Sequence, residues 1–140
     1  MRYYLDTNIL VFLLFDKNLK DNLSRKVLTI FSEYENLCFT SSIAMRELVY
    51  LYNSSYYKTD KYKNTSEIFR AIDAMRIEIK PFTQHHVMTY ASMTFASNHK
   101  DPNDHMIIAQ AISDKIPLIS SDTEFQFYEE QKLKFIFNKR

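Results

Sequence analysis

No glycine occurs in the 140 residues. Glycine-rich phosphate loops, the dinucleotide fingerprint and the nucleophile elbow all need backbone that only glycine adopts cheaply, so Walker-type ATP hydrolysis and elbow-serine esterase chemistry are disfavoured. The single cysteine, Cys38, rules out a disulfide framework within the chain, and its place in Leu37-Cys38-Phe39 reads as a small buried hydrophobe. With one thiol and no His-Glu-x-x-His, a structural zinc or zincin site is not expected either. No apolar run approaches the ~20 residues of a membrane span, and Asp6 interrupts the opening too early for a signal peptide, so a cytoplasmic protein without a membrane segment is expected. Strong charge of one sign is also missing: the net charge is +1, and contact with nucleic acid would have to come from local patches.

What is present is an ordinary globular composition, 46% hydrophobic and 25% charged. A chain of this length fits one domain that buries roughly two-thirds of its unfolded surface. Five short apolar runs read as strands: Arg2 to Leu5, Leu37 to Thr40, Ile77 to Lys80, Pro117 to Ser120 and Leu133 to Phe137. Between them lie helical patterns. Leu19, Leu23, Val27, Ile30, Phe31 and Tyr34 draw one stripe along a helix from about Asn18 to Glu35. Ser42 caps a helix through Met45, Leu48, Val49 and Tyr52, and Asn64 with Glu67 opens another to Met75. Thr83 caps a helix bearing Val87, Tyr90, Ala91 and Phe95, and Asp101-Pro102 starts one bearing Ile107, Ile108, Ala111 and Ile112. Without glycine, Asn36 and Asn98 are the natural left-handed stops. Strands separated by helices give an α/β fold, a parallel sheet covered by helices on both faces.

In such sheets ligands gather at the carboxyl ends of the strands. Asp6 follows the first strand and Asp122 the fourth, which puts both at one edge. Glu47 lies about a turn into the helix after the second strand, and Asp104 occupies the third position of the helix that Pro102 opens. Four carboxylates about 4 to 5 Å apart would repel by roughly 3 to 4 kcal/mol per pair at an effective dielectric near 20, and a divalent cation is the obvious compensation. Oxygen ligands alone suit Mg²⁺ or Mn²⁺, which polarise a phosphodiester and acidify a bound water.

These residues carry a resemblance. Asp6-Thr7-Asn8, Glu47, Asp101-Pro102-Asn103-Asp104 leading into Ile107-Ile108-Ala109-Gln110-Ala111, and Ile119-Ser120-Ser121-Asp122 followed by Phe125 and Tyr128 resemble a PIN domain, and within that family the toxin subunit of a bacterial VapBC-type toxin–antitoxin pair. The resemblance implies a single PIN domain over residues 1–140 and endonucleolytic cleavage of RNA by metal-activated water. It makes Asp6, Glu47, Asp104 and Asp122 the metal-binding acids, with Thr7, Asn8 and Ser121 as polar support. His105 and Asn103 depart from it, since related toxins often carry arginine and phenylalanine there. It also implies a homodimer and an antitoxin bound at the helical hairpin around Glu47 and residues 50–75, with a cationic tail in the acid crevice.

Bland readings stand beside these. Asp101 reads first as the N-cap before Pro102, ahead of metal ligation, and Asp104 could merely complement the helix dipole. His85 and His86 read as polar surface or packing residues, whereas His99 and His105 flank the acid motif, where a phosphate contact or proton shuttle competes with simple exposure. Tyrosines and lysines alternate over residues 50–63, a mixture suited to bases and phosphates or, slightly favoured, to a protein partner. Other functions compete: a catalytically silent PIN-like scaffold, a PIN nuclease of RNA processing without antitoxin, and a phosphoacceptor receiver domain. The receiver would need adjacent acids after the first strand, where this chain has Asp6-Thr7-Asn8; an aspartate-nucleophile phosphatase would need an acid in place of Asn8.

Overall fold

The computed structural model describes residues 1–57 and 59–140. Five strands, β1 (Arg2–Leu5), β2 (Leu37–Ser41), β3 (Ile77–Lys80), β4 (Leu118–Ser120) and β5 (Phe135–Phe137), form one all-parallel sheet in the order β3-β2-β1-β4-β5. Helices α1 (Thr7–Phe15), α2 (Arg25–Ser32), α3 (Ser42–Asn53), α4 (Thr65–Ala74), α5 (Gln84–Ser92) and α6 (Pro102–Asp114) flank it, with a 3₁₀ segment over Thr123–Gln131. This is the expected α/β class. Strand order reverses between β1 and β4, and at such a switch point the connections leave in opposite directions and open a crevice at the carboxyl ends.

One continuous core holds the layers together. It takes Tyr4 and Leu5 from β1, Leu118 and Ile119 from β4, Leu48 from α3, Ile107 and Ile108 from α6, and Phe125 and Tyr128 from the 3₁₀ segment. Cys38 lies buried in this core, as its neighbours suggested.

Several boundaries differ from the pattern, each for a local reason. α1 has no polar stripe: Ile9 through Leu14 are all buried, so periodicity gives it no signature. The helix from about Asn18 shrinks to α2, because Ser24 accepts from Val27 N–H as N-cap and the preceding residues turn. α3 is capped by Ser41, whose hydroxyl accepts from Ile43 N–H, while Ser42 accepts from Phe82 N–H instead. α4 opens on Asn64, but the Glu67 carboxylate reaches Lys63 N–H rather than the cap residue. α5 ends at Ser92, so Phe95 lies beyond it and stacks on His105. Asn36 and Asn98 are not the left-handed stops; Ser55, Arg76, Lys115 and Lys132 are, with φ of 59°, 61°, 57° and 77°. Asn36 closes α2 through its side chain, donating to Ile30 O and Glu33. Among the described residues no helix is long and apolar enough to cross a membrane.

Candidate active site

Asp6 leaves β1 as the N-cap of α1. Its Oδ1 accepts from Thr7 N–H at 2.8 Å, and its Oδ2 accepts from the Ser120 hydroxyl at 2.6 Å and from Asn8 Nδ2 at 3.1 Å. Ser120, the last residue of β4, joins two acids: its Oγ also receives Asp122 N–H at 3.1 Å. Asp122 in turn caps the 3₁₀ segment through Glu124 N–H at 2.9 Å. Asn8 Oδ1 accepts from Ser121 N–H, so the two strand ends across the switch point are tied by side chain to backbone. Glu47 on α3 receives Asn103 Nδ2 at 3.2 Å, which links it to the helix that carries Asp104.

The acids act on one another. Burial, and then the charges of Asp104 and Glu47, hold the Asp6 carboxyl far above the usual carboxylate range, against the opposing bonds from Ser120 and Thr7. Burial raises Asp104 as well, followed by the charges of Asp101, Asp122, Glu47 and Glu124. Asp6 thus feels the charges of Asp104 and Glu47, and Asp104 those of Asp122, Glu47 and Glu124, across the carboxyl edge; among the described residues the group whose ligand-type atoms all lie within 4.8 Å of one another is His99, Asp122 and Glu124 rather than the four expected acids. Among the described residues no lysine or arginine forms an ion pair with those acids; the ring nitrogen in contact is that of His99, whose Nε2 lies 3.0 Å from Asp104 Oδ2.

Acids that act on one another by charge at a switch point are what the sequence motifs implied, and comparison with known proteins decides the family. The sequence model described as PIN domain matches residues 3–130. The chain belongs to the PIN domain family. No curated protein matches the sequence. Among solved structures, VapBC2 from Rickettsia felis bound to a promoter DNA fragment aligns at a TM-score of 0.66 and 22% identity, covering 99% of this chain and 100% of that one. FitAcB from Neisseria gonorrhoeae aligns at 0.64 and 20%, covering 97% and 96%. VapBC-5 from Mycobacterium tuberculosis, a member of the VapBC family of toxin–antitoxin systems, aligns at 0.52 and 15%, covering 99% and 98%. At these identities the likeness is one of fold.

PIN domains are in general metal-dependent nucleases. The residues here fit a hard divalent cation: the donors at Asp6, Glu47, Asp104 and Asp122 are all oxygens, and burial together with the neighbouring acids raises two of the carboxyls.

Other expected residues fall differently around the PIN site. Thr7 supports Asp6 through its backbone N–H, its own hydroxyl having no hydrogen-bond partner. Ser121 gives its N–H to Asn8 but turns its hydroxyl to Asn138, away from the acids. Asp101 is the N-cap of α6, accepting from Asn103 N–H at 2.9 Å, and acts on Asp104 by charge. His105 is buried: it stacks on Phe95, donates Nε2–H to His99 O at 2.8 Å, and burial lowers its pKa, so it is not a phosphate contact. His86 is buried against Asp114, and His85 is exposed.

Sequence reasoning passed over three contributors: the Ser120 bracket, Glu124, and the depth of His99, which is 3% exposed. Glu124 carried a signal, standing two residues beyond Asp122, where a tight turn returns a side chain to the same edge. In residues 50–63 the tyrosines divide. Tyr52, Tyr57 and Tyr62 pack around Phe15, Tyr50 and Tyr56 stay exposed, and Lys58 lies outside the described residues.

Proposed function

We propose that this PIN domain is a Mg²⁺- or Mn²⁺-dependent endoribonuclease and the toxin of a toxin–antitoxin pair. The observation that carries the nuclease reading is the pair Asp6 and Asp104, both raised by burial and by the charges of neighbouring acids, at the carboxyl edge of the PIN sheet. Asp6, Glu47, Asp104 and Asp122 would hold the cation, which when bound supplies Lewis acidity toward the phosphodiester and a more acidic water. The chain's own residues set the geometry. Ser120, Asn8 and Thr7 N–H fix both Asp6 oxygens, Asn103 orients Glu47, and the 3₁₀ turn fixes Asp122. The choice of RNA follows from the motif resemblance, as does the homodimer. The test is a purified-protein assay on RNA and on DNA of the same sequence. RNA should be cut in Mg²⁺ or Mn²⁺, DNA should not, and EDTA should stop the reaction. Equal cutting in excess EDTA contradicts the metal mechanism.

An antitoxin partner is supported by the toxin–antitoxin complexes among the structural neighbours. It is supported also by a largely apolar groove between α3 and α4, lined by Met45, Val49, Phe69 and Ile79 with Arg46 at its side. Docking there would leave the anionic crevice free for an inserted arginine or lysine. Because Tyr52 and Tyr57 stack on Phe15, the variants that probe docking without disturbing the fold are Phe69→Ala and Tyr56→Ala. Unchanged binding of a candidate antitoxin by the Phe69 variant would exclude the groove as the docking face.

A further inference from the structure

His99 sits between the acid site and the core. Its Nδ1 lies 2.8 Å from the Tyr128 hydroxyl and its Nε2 3.0 Å from Asp104 Oδ2, with Glu124 at 3.8 Å. His99, Asp122 and Glu124 each bring a ligand-type atom within 4.8 Å of the others, an arrangement that by distance alone would suit a metal with a nitrogen ligand. The hydrogen bonds of His99 point to a different role.

The Tyr128 oxygen already accepts from Ala96 N–H at 3.3 Å, and the residue is fully buried. If His99 Nδ1 carried a proton toward that oxygen, the phenol proton would be left in the core without an acceptor. If Nε2 carried none, its lone pair would face the Asp104 carboxylate. One assignment satisfies every atom: Ala96 N–H donates to the Tyr128 oxygen, Tyr128 O–H donates to His99 Nδ1, and His99 Nε2–H donates to Asp104 Oδ2. His105 Nε2–H holds the His99 carbonyl at 2.8 Å and its ring meets the His99 ring edge-on, which fixes the imidazole plane. In that assignment a proton on Nε2, rather than a lone pair, faces the Asp104 carboxylate.

We propose that His99 is a positioning residue, an Nε2–H donor set by Tyr128 that fixes the orientation of Asp104 in the acid site, and that it is not itself a ligand. The proposal rests on the metal-binding reading of the four acids. The relay joins the start of α6 to the 3₁₀ segment that follows Asp122, so it also ties two of the acids to one rigid unit. Groups that orient a ligand in this way typically change metal affinity about 10- to 100-fold when removed.

The test is a Mn²⁺ titration of the full chain, followed by the EPR signal of free Mn²⁺. Tyr128→Phe, which removes only the hydroxyl, and His99→Ala should each weaken binding about 10- to 100-fold, and the double variant should be no worse than His99→Ala alone. His99→Gln, whose amide can accept from Tyr128 and donate to Asp104, should keep affinity within a few-fold. Pulsed EPR of bound Mn²⁺ should show no directly coordinated nitrogen. Unchanged affinity in Tyr128→Phe overturns the relay even if the alanine variant fails to fold. A nitrogen coupling that disappears in His99→Gln makes His99 a ligand and overturns it too. Absence of Mn²⁺ binding by the wild type instead overturns the acid site itself, and the relay with it.

Discussion

The Ser120 hydroxyl donates to Asp6 Oδ2 at 2.6 Å, from the last residue of β4 to the residue that follows β1. The bond stabilises the charged form of a carboxyl that burial and neighbouring acids drive toward neutrality. Ser120→Ala should therefore raise the Asp6 pKa further and reduce the fraction able to bind a cation near neutral pH. The acid limb of the pH–rate profile should move upward, with activity at pH 7 down several-fold and recovering at higher pH. An unmoved limb would show that Asp6 does not control it.

Stability of the metal-free protein should fall as pH rises. Asp6 and Asp104 have folded pKa values above their unfolded ones, so between those limits the folded state holds more protons, and each step up in pH favours unfolding. Thermal unfolding in EDTA should show Tm declining from about pH 4 toward the raised folded values and levelling above them. Mg²⁺ or Mn²⁺ should restore it at the upper end. Asp6→Asn, which removes one of the repelling charges, should be more stable than wild type at pH 8 in EDTA, the advantage vanishing toward pH 4. A flat Tm across this range would mean that the acids do not strain the fold.

At the end of α6, Asp114 accepts from Tyr4 at 2.5 Å and pairs with His86 at 2.9 Å. Burial pushes its pKa up, but these two bonds and the charges of His86 and Lys80 outweigh that, so its pKa is lowered. The sign is opposite to that of Asp6: Asp114 contributes stability above its unfolded pKa, and loses it as pH falls through the folded value. Asp114→Asn should cost about 1–2 kcal/mol at pH 7, discounted for its partial exposure, and the cost should shrink toward pH 2. Urea unfolding at the two pH values measures it.

Lys115 ends α6 in the left-handed region with φ of 57°, where a side chain costs roughly 1–2 kcal/mol that glycine avoids. Lys115→Gly should stabilise by about 0.5–1 kcal/mol after the greater freedom of glycine in the unfolded chain is subtracted. A loss of stability in urea unfolding would show that the lysine side chain contributes more than its backbone costs.

The same position marks where the sequence stopped being legible. Left-handed stops are inferred from residue type, and with glycine absent the chain places Ser55, Arg76, Lys115 and Lys132 there, which no propensity singles out. α1 was hidden for a related reason, because a helix buried on all sides has no stripe. By contrast Asp6 and the Asp101-Pro102 start of α6 were readable, since a strand that stops at a carboxylate and an acid before proline are local signals. His99 showed its nearness to the acid motif but not its burial, which depends on Tyr128, 29 residues further on, closing over it.

The proposed function requires Asp6, Glu47, Asp104 and Asp122 together to hold a divalent cation on which RNA cleavage depends. Calorimetric titration of Mn²⁺ into wild type, Asp6→Asn and Asp104→Asn, with RNA cleavage followed on the same samples, tests it directly. Wild type should bind and cut, each variant should remain folded but lose at least tenfold in affinity, and cleavage should fall in step. Full cleavage by either variant at limiting Mn²⁺ would contradict it.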